Sequence, residues 1–357
     1  MYRNVVTSDV VPPYHASVYG KVSVSFTISD DDYAKLRSNL KSAVTWHERA
    51  RKTITKKLDE RRRMLYSQIV KRRYPLDRSL RSLLLIHTPL RKGLFPFASA
   101  FLCLFSLHGD RELDVKRYSI GKTGILDVSP KGSGGNIPVI IYLHGGAFVY
   151  RAAPYHYRLV REYALSGCRV LMVDYPLSPG SRYPMAVEKT VEVYKWALEK
   201  FPSSVAVMGD SAGAEIALST TMRIIEDGLR RPQFLALIYP VVAPIETESK
   251  RRFTDTPVWN SRLNSKMWEY YLQGEKYRSV FEYDRVASFP PVYIETCDVD
   301  CLHDEGESLV SLLEEKGVSV VHRNIKGACH GYDMISPSPL VKESMEARKN
   351  FIMEHFC

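Results

Sequence analysis

The chain has 357 residues, 45% hydrophobic and 25% charged, proportions that exclude collagen-like, low-complexity and wholly disordered proteins and predict a buried core. The formal net charge of +10 lies entirely in the first third, because residues 1–115 carry 21 Lys+Arg against 11 Asp+Glu while residues 116–357 carry 29 against 29. Such a step predicts a near-neutral body over 116–357 with a basic N-terminal attachment over 1–115, and without a recognised binding motif beside the charge nucleic acid is not an expected partner.

The opening residues, Met1 to Asp9, have no apolar stretch of the secretory kind, so no signal peptide is expected. Residues 1–28 read as extended or irregular, punctuated by Pro12-Pro13. From Ser29 the pattern changes. Asp30-Asp31-Asp32 are acids at a helix start, and Leu36, Leu40, Val44, Ile54, Leu58, Leu65 and Ile69 recur at helical spacing before the stop at Pro75. The other face is basic, with Lys56-Lys57, Arg61-Arg62-Arg63 and Lys71-Arg72-Arg73. A second apolar helical stretch is expected over about 79–107, broken near Gly93 and Pro96. Its apolar core, Leu94 to Leu107, is too short for a membrane span, which needs about 20 residues. The basic face is read as solvated surface. Beside the row Phe95, Phe97, Phe101 and Phe105, it also suits peripheral contact with anionic headgroups through residues 30–107.

After about residue 115 short apolar runs alternate with helix-length segments. Val139 to Leu143, Val170 to Tyr175, Val205 to Met208, Phe234 to Tyr239, Val292 to Thr296 and Val318 to His322 read as strands. Ala186 to Lys200, Ala214 to Asp227 and Glu305 to Lys316 read as helices between them. Buried strands alternating with helices predict an α/β fold, a mostly parallel sheet with helices on both faces. Ligands then bind beyond the carboxyl ends of the strands.

The chemistry-bearing residues lie at those ends. Val205-Ala206-Val207-Met208 runs into Gly209-Asp210-Ser211-Ala212-Gly213 and then a helix, the strand–turn–helix setting in which Gly-x-Ser-x-Gly presents a nucleophilic serine. The alternative is a plain Gly-rich turn with a capping serine. A serine hydroxyl needs a base, and in this order of motifs the base follows an acid. His330 is expected on the short loop Lys326 to Gly331 after the last strand. The acid belongs just past Val292 to Thr296, where Asp298, Asp300 and Asp304 compete with Glu305 behind them. Upstream, Val139 to Leu143 ends in His144-Gly145-Gly146-Ala147, a bend whose backbone N–H groups, with that of Ala212, suit an oxyanion. Six cysteines form no disulfide framework in so long a chain and fit a reducing, cytoplasmic setting. Cys297, Cys301 and Cys329 flank the acid and base loops at a spacing that matches no zinc pattern, so buried thiols are expected rather than a redox pair.

These residues resemble the hormone-sensitive lipase family of α/β-hydrolases, the group of bacterial esterases and arylacetamide deacetylase-like enzymes, over about 138–335. His144-Gly145-Gly146-Ala147 is similar to its His-Gly-Gly-Gly motif, Gly209 to Ala214 to Gly-Asp-Ser-Ala-Gly-Gly, Asp300 to Glu305 to Asp-Pro-Leu-x-Asp-Glu, and His330-Gly331-Tyr332 to its His-Gly-Phe ending. The resemblance implies a Ser211, Asp300, His330 triad, oxyanion donors at Gly146, Ala147 and Ala212 with Gly145 shaping the bend, no cofactor and no metal. It also implies a helical cap, for which residues 1–115 and the insertion 247–287 are the candidates. The activity implied is hydrolysis of a small-molecule or lipid carboxylic ester through an acyl-enzyme. The alternative is a weak or inactive hydrolase-fold protein that binds a ligand or an anionic membrane through its basic cap. Ala147 and Ala214 stand where the family has glycine, and proline is missing after Asp300.

Overall fold

The computed structural model describes residues 74–91 and 111–356 continuously, most of 101–109, Gly93 and Phe95, the segments 2–5 and 26–29, and scattered positions between 31 and 57. The basic triplets at 61–63 and 71–73, Phe97, Cys103 and Cys357 lie outside the described residues. The chain divides into two units, Met1–Gln68 and Ile69–Cys357. In the first, β1 (Tyr2–Val5) pairs antiparallel with β2 (Phe26–Ser29), and the described positions from 31 to 57 are helical, as the spacing after Ser29 predicts. The compositional step near residue 115 falls inside the second unit, to which residues 69–115 belong.

The second unit is built on one eight-stranded sheet. Its strands are β3 (Leu113–Ile120), β4 (Thr123–Pro130), β5 (Val139–Leu143), β6 (Arg169–Asp174), β7 (Val205–Asp210), β8 (Leu235–Ile238), β9 (Val292–Val299) and β10 (Val320–Cys329). They lie in the order β10-β9-β8-β7-β5-β6-β4-β3, and only the pairings of β4 with β3 and β6 are antiparallel. The α/β architecture with a mostly parallel sheet is therefore the one expected. β5, β7 and β8 are buried along their whole length, as strands covered on both faces must be. The helices are α1 (Pro154–Leu165), α2 (Met185–Lys200), α3 (Ala212–Glu226), α4 (Glu248–Arg252), α5 (Ser261–Leu272), α6 (His303–Glu315) and α7 (Pro339–Phe356). α1 packs on β3, β4 and β6, α3 on β5, β7 and β8, and α6 on β9 and β10.

Three features depart from the sequence expectation. The β3–β4 hairpin joins through Gly121, whose φ is +56°, and its first strand is an edge strand buried only at Leu113, so it shows no continuous apolar run. The last strand begins later and runs further than Val318 to His322. Cys329 still pairs with Val299 after a register shift following Ile325, so most of the expected loop before His330 is strand. Within 79–107, the described positions are helical over the 3-10 stretch Arg78–Leu85 and at 93, 95 and 101–102, as expected, but residues 86–91 interrupt the helix earlier than the expected break near Gly93 and Pro96. Among the described residues no helix is long and apolar enough to cross a membrane.

The chain order reverses beside β5: β6 lies on one side of it and β7 on the other. At such a switch point the loops leaving two adjacent parallel strands diverge and open a crevice. β5 delivers Gly145 and β7 delivers Ser211 to that crevice.

Candidate active site

The turn after β7 is shaped by what glycine lacks. A Cβ on Gly209 would overlap the Gly213 carbonyl, and one on Gly213 would overlap the Leu143 carbonyl at the end of β5. With both side chains absent, strand and helix approach closely enough to force Ser211 to φ +54° and ψ −120°, a region that L residues rarely occupy. The strained residue is pinned on both sides: its N–H donates to the Ile238 carbonyl (2.9 Å) and its carbonyl accepts from Val241 N–H (3.1 Å) and Ala214 N–H (3.0 Å). α3 starts at the next residue, so its first N–H groups point back toward the serine.

His330 follows β10 directly, with Gly331 at φ +67° turning the chain away. Its Nε2 lies 2.7 Å from Ser211 Oγ and its Nδ1 lies 2.7 Å from Asp300 Oδ2. The other oxygen of Asp300 accepts from Leu302 N–H at 3.0 Å. The competing acids are engaged elsewhere. Asp298 accepts from Gly327 N–H (2.8 Å), and Asp304 accepts from Ser249 N–H (2.7 Å) and contacts His303 Nδ1 (2.9 Å). Glu305 is fully buried, accepts from Val242 N–H (2.8 Å) and pairs with Lys250 of α4 at 2.5 Å. Burial pushes its carboxyl up to about 7 despite that pairing.

The bend after β5 is held from below by Asp210, the residue before the serine. Asp210 Oδ1 accepts from Tyr142 Oη (2.5 Å) and from Gly145 N–H (3.0 Å), and Oδ2 lies 3.3 Å from His156 Nε2. Burial alone would raise this carboxyl, but His156, the Tyr142 hydroxyl and His144 outweigh it and hold it below the usual carboxylate range. His144, buried and stacked on Tyr175 at 4.6 Å, is driven down to about 4 by burial and by His156 beside it. Gly145 therefore does not offer its N–H to a ligand: it shapes the bend. Beyond it the chain passes through Gly146 (φ +131°), Ala147 (φ +55°) and Phe148 (φ +59°). Among the described residues, no turn or loop hydrogen bond uses the N–H of Gly146, Ala147 or Ala212.

Gly146, Ala147, Ser211 and His330 line one cavity of about 210 Å³. Its other walls come from the N-terminal stretch at Ile86, Thr88 and Leu102 and from the 247–287 segment at Val258 and Trp259. The two stretches are fastened together, since Val258 N–H donates to the Ile86 carbonyl (3.1 Å) and Thr88 Oγ1 donates to the Val258 carbonyl (2.6 Å). Behind His330 the Tyr239 ring packs edge-on at 4.9 Å, and its hydroxyl donates to Asp333 Oδ1. Asp333 and Glu295 are both ion-paired to the buried guanidinium of Arg348 from α7 (3.0 and 2.5 Å). The sequence reading missed this floor and the Asp210 cluster, because their members stand tens of residues apart without a shared motif. Cys297, Cys301 and Cys329 are buried, unpaired with one another, and raised by burial and by Asp300, so they are neutral thiols.

Comparison with known proteins agrees with this fold. A family model described as alpha/beta hydrolase fold matches residues 140–334. The chain is 25% identical over 252 residues to the FAD-linked oxidoreductase pytB of Aspergillus terreus, covering 67% of this chain and 31% of that protein. It is 29% identical over 213 residues to the acetyl esterase of Salmonella schwarzengrund, covering 54% of this chain and 65% of that one. The chain thus spans less than two thirds of the length of both relatives. Among solved structures, a thermostable esterase from Pseudomonas putida ECU1011 superposes with a TM-score of 0.69 at 25% identity, over 78% of this chain and 97% of that one.

Proposed function

Because the chain belongs to the α/β-hydrolase fold family, in its hormone-sensitive lipase branch, we propose that it is a carboxylesterase-type serine hydrolase in which Ser211, His330 and Asp300 form the triad. The observation that carries this reading is the continuous relay from Ser211 Oγ through His330 to Asp300, 2.7 Å at each step, opening on a cavity lined by unengaged backbone amides. His330 Nε2 accepts the Oγ proton as Oγ attacks the ester carbonyl carbon, while Asp300 holds the Nδ1 proton in place and stabilises the imidazolium. The carbonyl oxygen becomes an oxyanion held by the N–H groups of Gly146, Ala147 and Ala212, each such donor being worth about 3 kcal/mol in the transition state. Collapse breaks the bond to the alcohol oxygen, which leaves with the proton from His330. Water then enters, gives a proton to His330 and attacks the acyl-Ser211 carbonyl, releasing the acid and restoring the serine.

The cavity, at about 210 Å³, is below the usual range for drug-sized ligands of about 300–1,000 Å³ and supports a small acyl group at Ser211. Its walls at Ile86, Thr88, Leu102, Val258 and Trp259 support the assignment of 247–287, and of the 69–115 part of the N-terminal segment, to a cap. The basic excess of residues 1–115, with Phe101 and Leu104 exposed, supports peripheral attraction to anionic headgroups. Co-sedimentation with anionic and neutral vesicles at two salt concentrations tests that attraction. The activity is tested with p-nitrophenyl acetate and butyrate. Wild type releases p-nitrophenolate and Ser211→Ala does not; equal rates for the two proteins overturn the reading.

A further inference from the structure

We propose that Glu215 and Tyr271 form a positioning pair that holds the oxyanion loop in its strained shape from behind and ties it to the helix that carries the nucleophile. The inference rests on the proposed role of Ser211. It concerns groups that take no part in the proton relay.

The loop needs holding. Ala147 and Phe148 are consecutive non-glycine residues at φ +55° and +59°, a conformation that persists only where the surroundings impose it. Part of that constraint is local: the Gly146 carbonyl accepts from the N–H groups of Val149 and Tyr150, and the Phe148 carbonyl accepts from Ser178 N–H. The Phe148 side chain is fixed from outside the loop. Its ring lies flat on that of Tyr271 in α5, with centroids 3.6 Å apart and planes within 2°.

Tyr271 is in turn aimed by hydrogen bonds at both ends. Its carbonyl accepts from Tyr183 N–H (2.9 Å), and its hydroxyl donates to Glu215 Oε2 (2.9 Å). Glu215 stands four residues after Ser211 in the first turn of α3 and is fully buried. Its second oxygen accepts from Ser219 Oγ at 2.7 Å. One carboxylate thus links the nucleophile helix, through Tyr271, to the ring that follows the amide of Ala147.

The groups facing Glu215 are hydroxyls: Ser219 from its own helix, Tyr271 from α5, Tyr277 from the loop after it, Tyr183 from the segment before α2, and Tyr175 at the end of β6. Burial pushes the carboxyl up to about 7, so it ionises in the neutral range. As a carboxylate it accepts both hydroxyl bonds with charge assistance. When protonated it must place its own hydrogen among donors, and the fastening of Tyr271 loosens.

The test uses the full chain and a fluorophosphonate probe, which reports on Ser211 and the oxyanion site without needing the natural ester. Labelling rates are measured for wild type, Tyr271→Phe and Glu215→Gln, each with its melting temperature, alongside kcat and KM for p-nitrophenyl acetate. The expected result is a labelling rate and kcat at least about tenfold lower in Tyr271→Phe with KM changed less than about twofold, the pattern of lost transition-state stabilisation. Glu215→Gln keeps an acceptor for Tyr271 and is expected to recover most of that rate. The ratio of wild-type to Glu215→Gln rate is expected to rise by about threefold or more between about pH 6 and pH 8, because only wild type gains the charged acceptor. A role confined to stability would lower the melting temperatures and leave kcat, the labelling rate and that ratio unmoved; this result overturns the inference alone. Failure of wild type to label overturns the proposed function and the inference with it.

Discussion

His330 Nδ1 lies 2.7 Å from Asp300 Oδ2, and the opposite oxygen of the same carboxylate is held by Leu302 N–H. The carboxylate is therefore aimed at the imidazole by the turn that opens α6. Asp298 and Asp304, two and four residues away, spend their oxygens on Gly327 and Ser249. Proximity in sequence does not make them substitutes.

Asp300→Asn is expected to lower kcat by about 10⁴, because an amide at this position favours the wrong imidazole tautomer. Asp298→Asn and Asp304→Asn are expected to stay within about tenfold of wild type, since each keeps an amide oxygen that still accepts from the backbone N–H of Gly327 or Ser249, losing only charge assistance, and neither touches the relay. Steady-state kinetics on p-nitrophenyl acetate decides between them; a larger loss in either of the latter would move the acid.

Arg348 is ion-paired to both Glu295 and Asp333 in the interior and so fixes the floor under Tyr239 and His330. Arg348→Met leaves two buried carboxylates without a cation and is expected to destabilise the fold by about 3–5 kcal/mol. Urea denaturation measures this. A change below about 1 kcal/mol would mean that the Arg348 ion pairs do not support the site.

The raised carboxyl of Glu215 carries a stability consequence of definite sign. Its folded value, about 7, lies above the ordinary 4.5, so ionisation is costlier in the folded than in the unfolded chain. The stability it permits below about pH 4.5 is lost as pH rises to about 7 and stays lost above. Glu215→Gln removes the group, so the variant is expected to gain on wild type between about pH 5 and pH 8, by up to about 3 kcal/mol. Thermal unfolding at both pH values checks it, and a gain at the acid end would reverse the sign.

Much of the fold was legible because its signals are local. Val139 to Leu143 and Val205 to Met208 are short apolar runs, and the glycines at 209 and 213 mark where backbone must meet backbone. β3 carries no apolar run to mark it, because it lies at the edge of the sheet and is buried only at Leu113. Ser211 and His330 could be read from their place after strands. The choice among Asp298, Asp300 and Asp304 could not be made from the residues alone, since it depends on how the end of β9, the three-residue turn after it and the start of α6 point each carboxylate. Arg348 with Glu295, and Glu215 with Tyr271, stand more than fifty residues apart and meet only when the sheet and its surrounding helices are assembled.

Gly213→Ala tests the steric argument for the nucleophile turn. The added Cβ would fall on the Leu143 carbonyl, so β5 and α3 must separate. The variant is expected to lose at least about 2 kcal/mol of stability and at least about a hundredfold in kcat, as overpacking together with a displaced nucleophile dictates. Retention of wild-type kcat would show that the close approach is dispensable.

The central claim is that Ser211 becomes covalently acylated, and mass spectrometry tests it most directly. Full-length protein treated with p-nitrophenyl butyrate and quenched in acid early in turnover is digested and its peptides are weighed. A butyryl adduct is expected on the peptide containing Ser211 in wild type and none in Ser211→Ala. An adduct at another residue, or turnover of the ester with no adduct at Ser211 at any quench time, would contradict it.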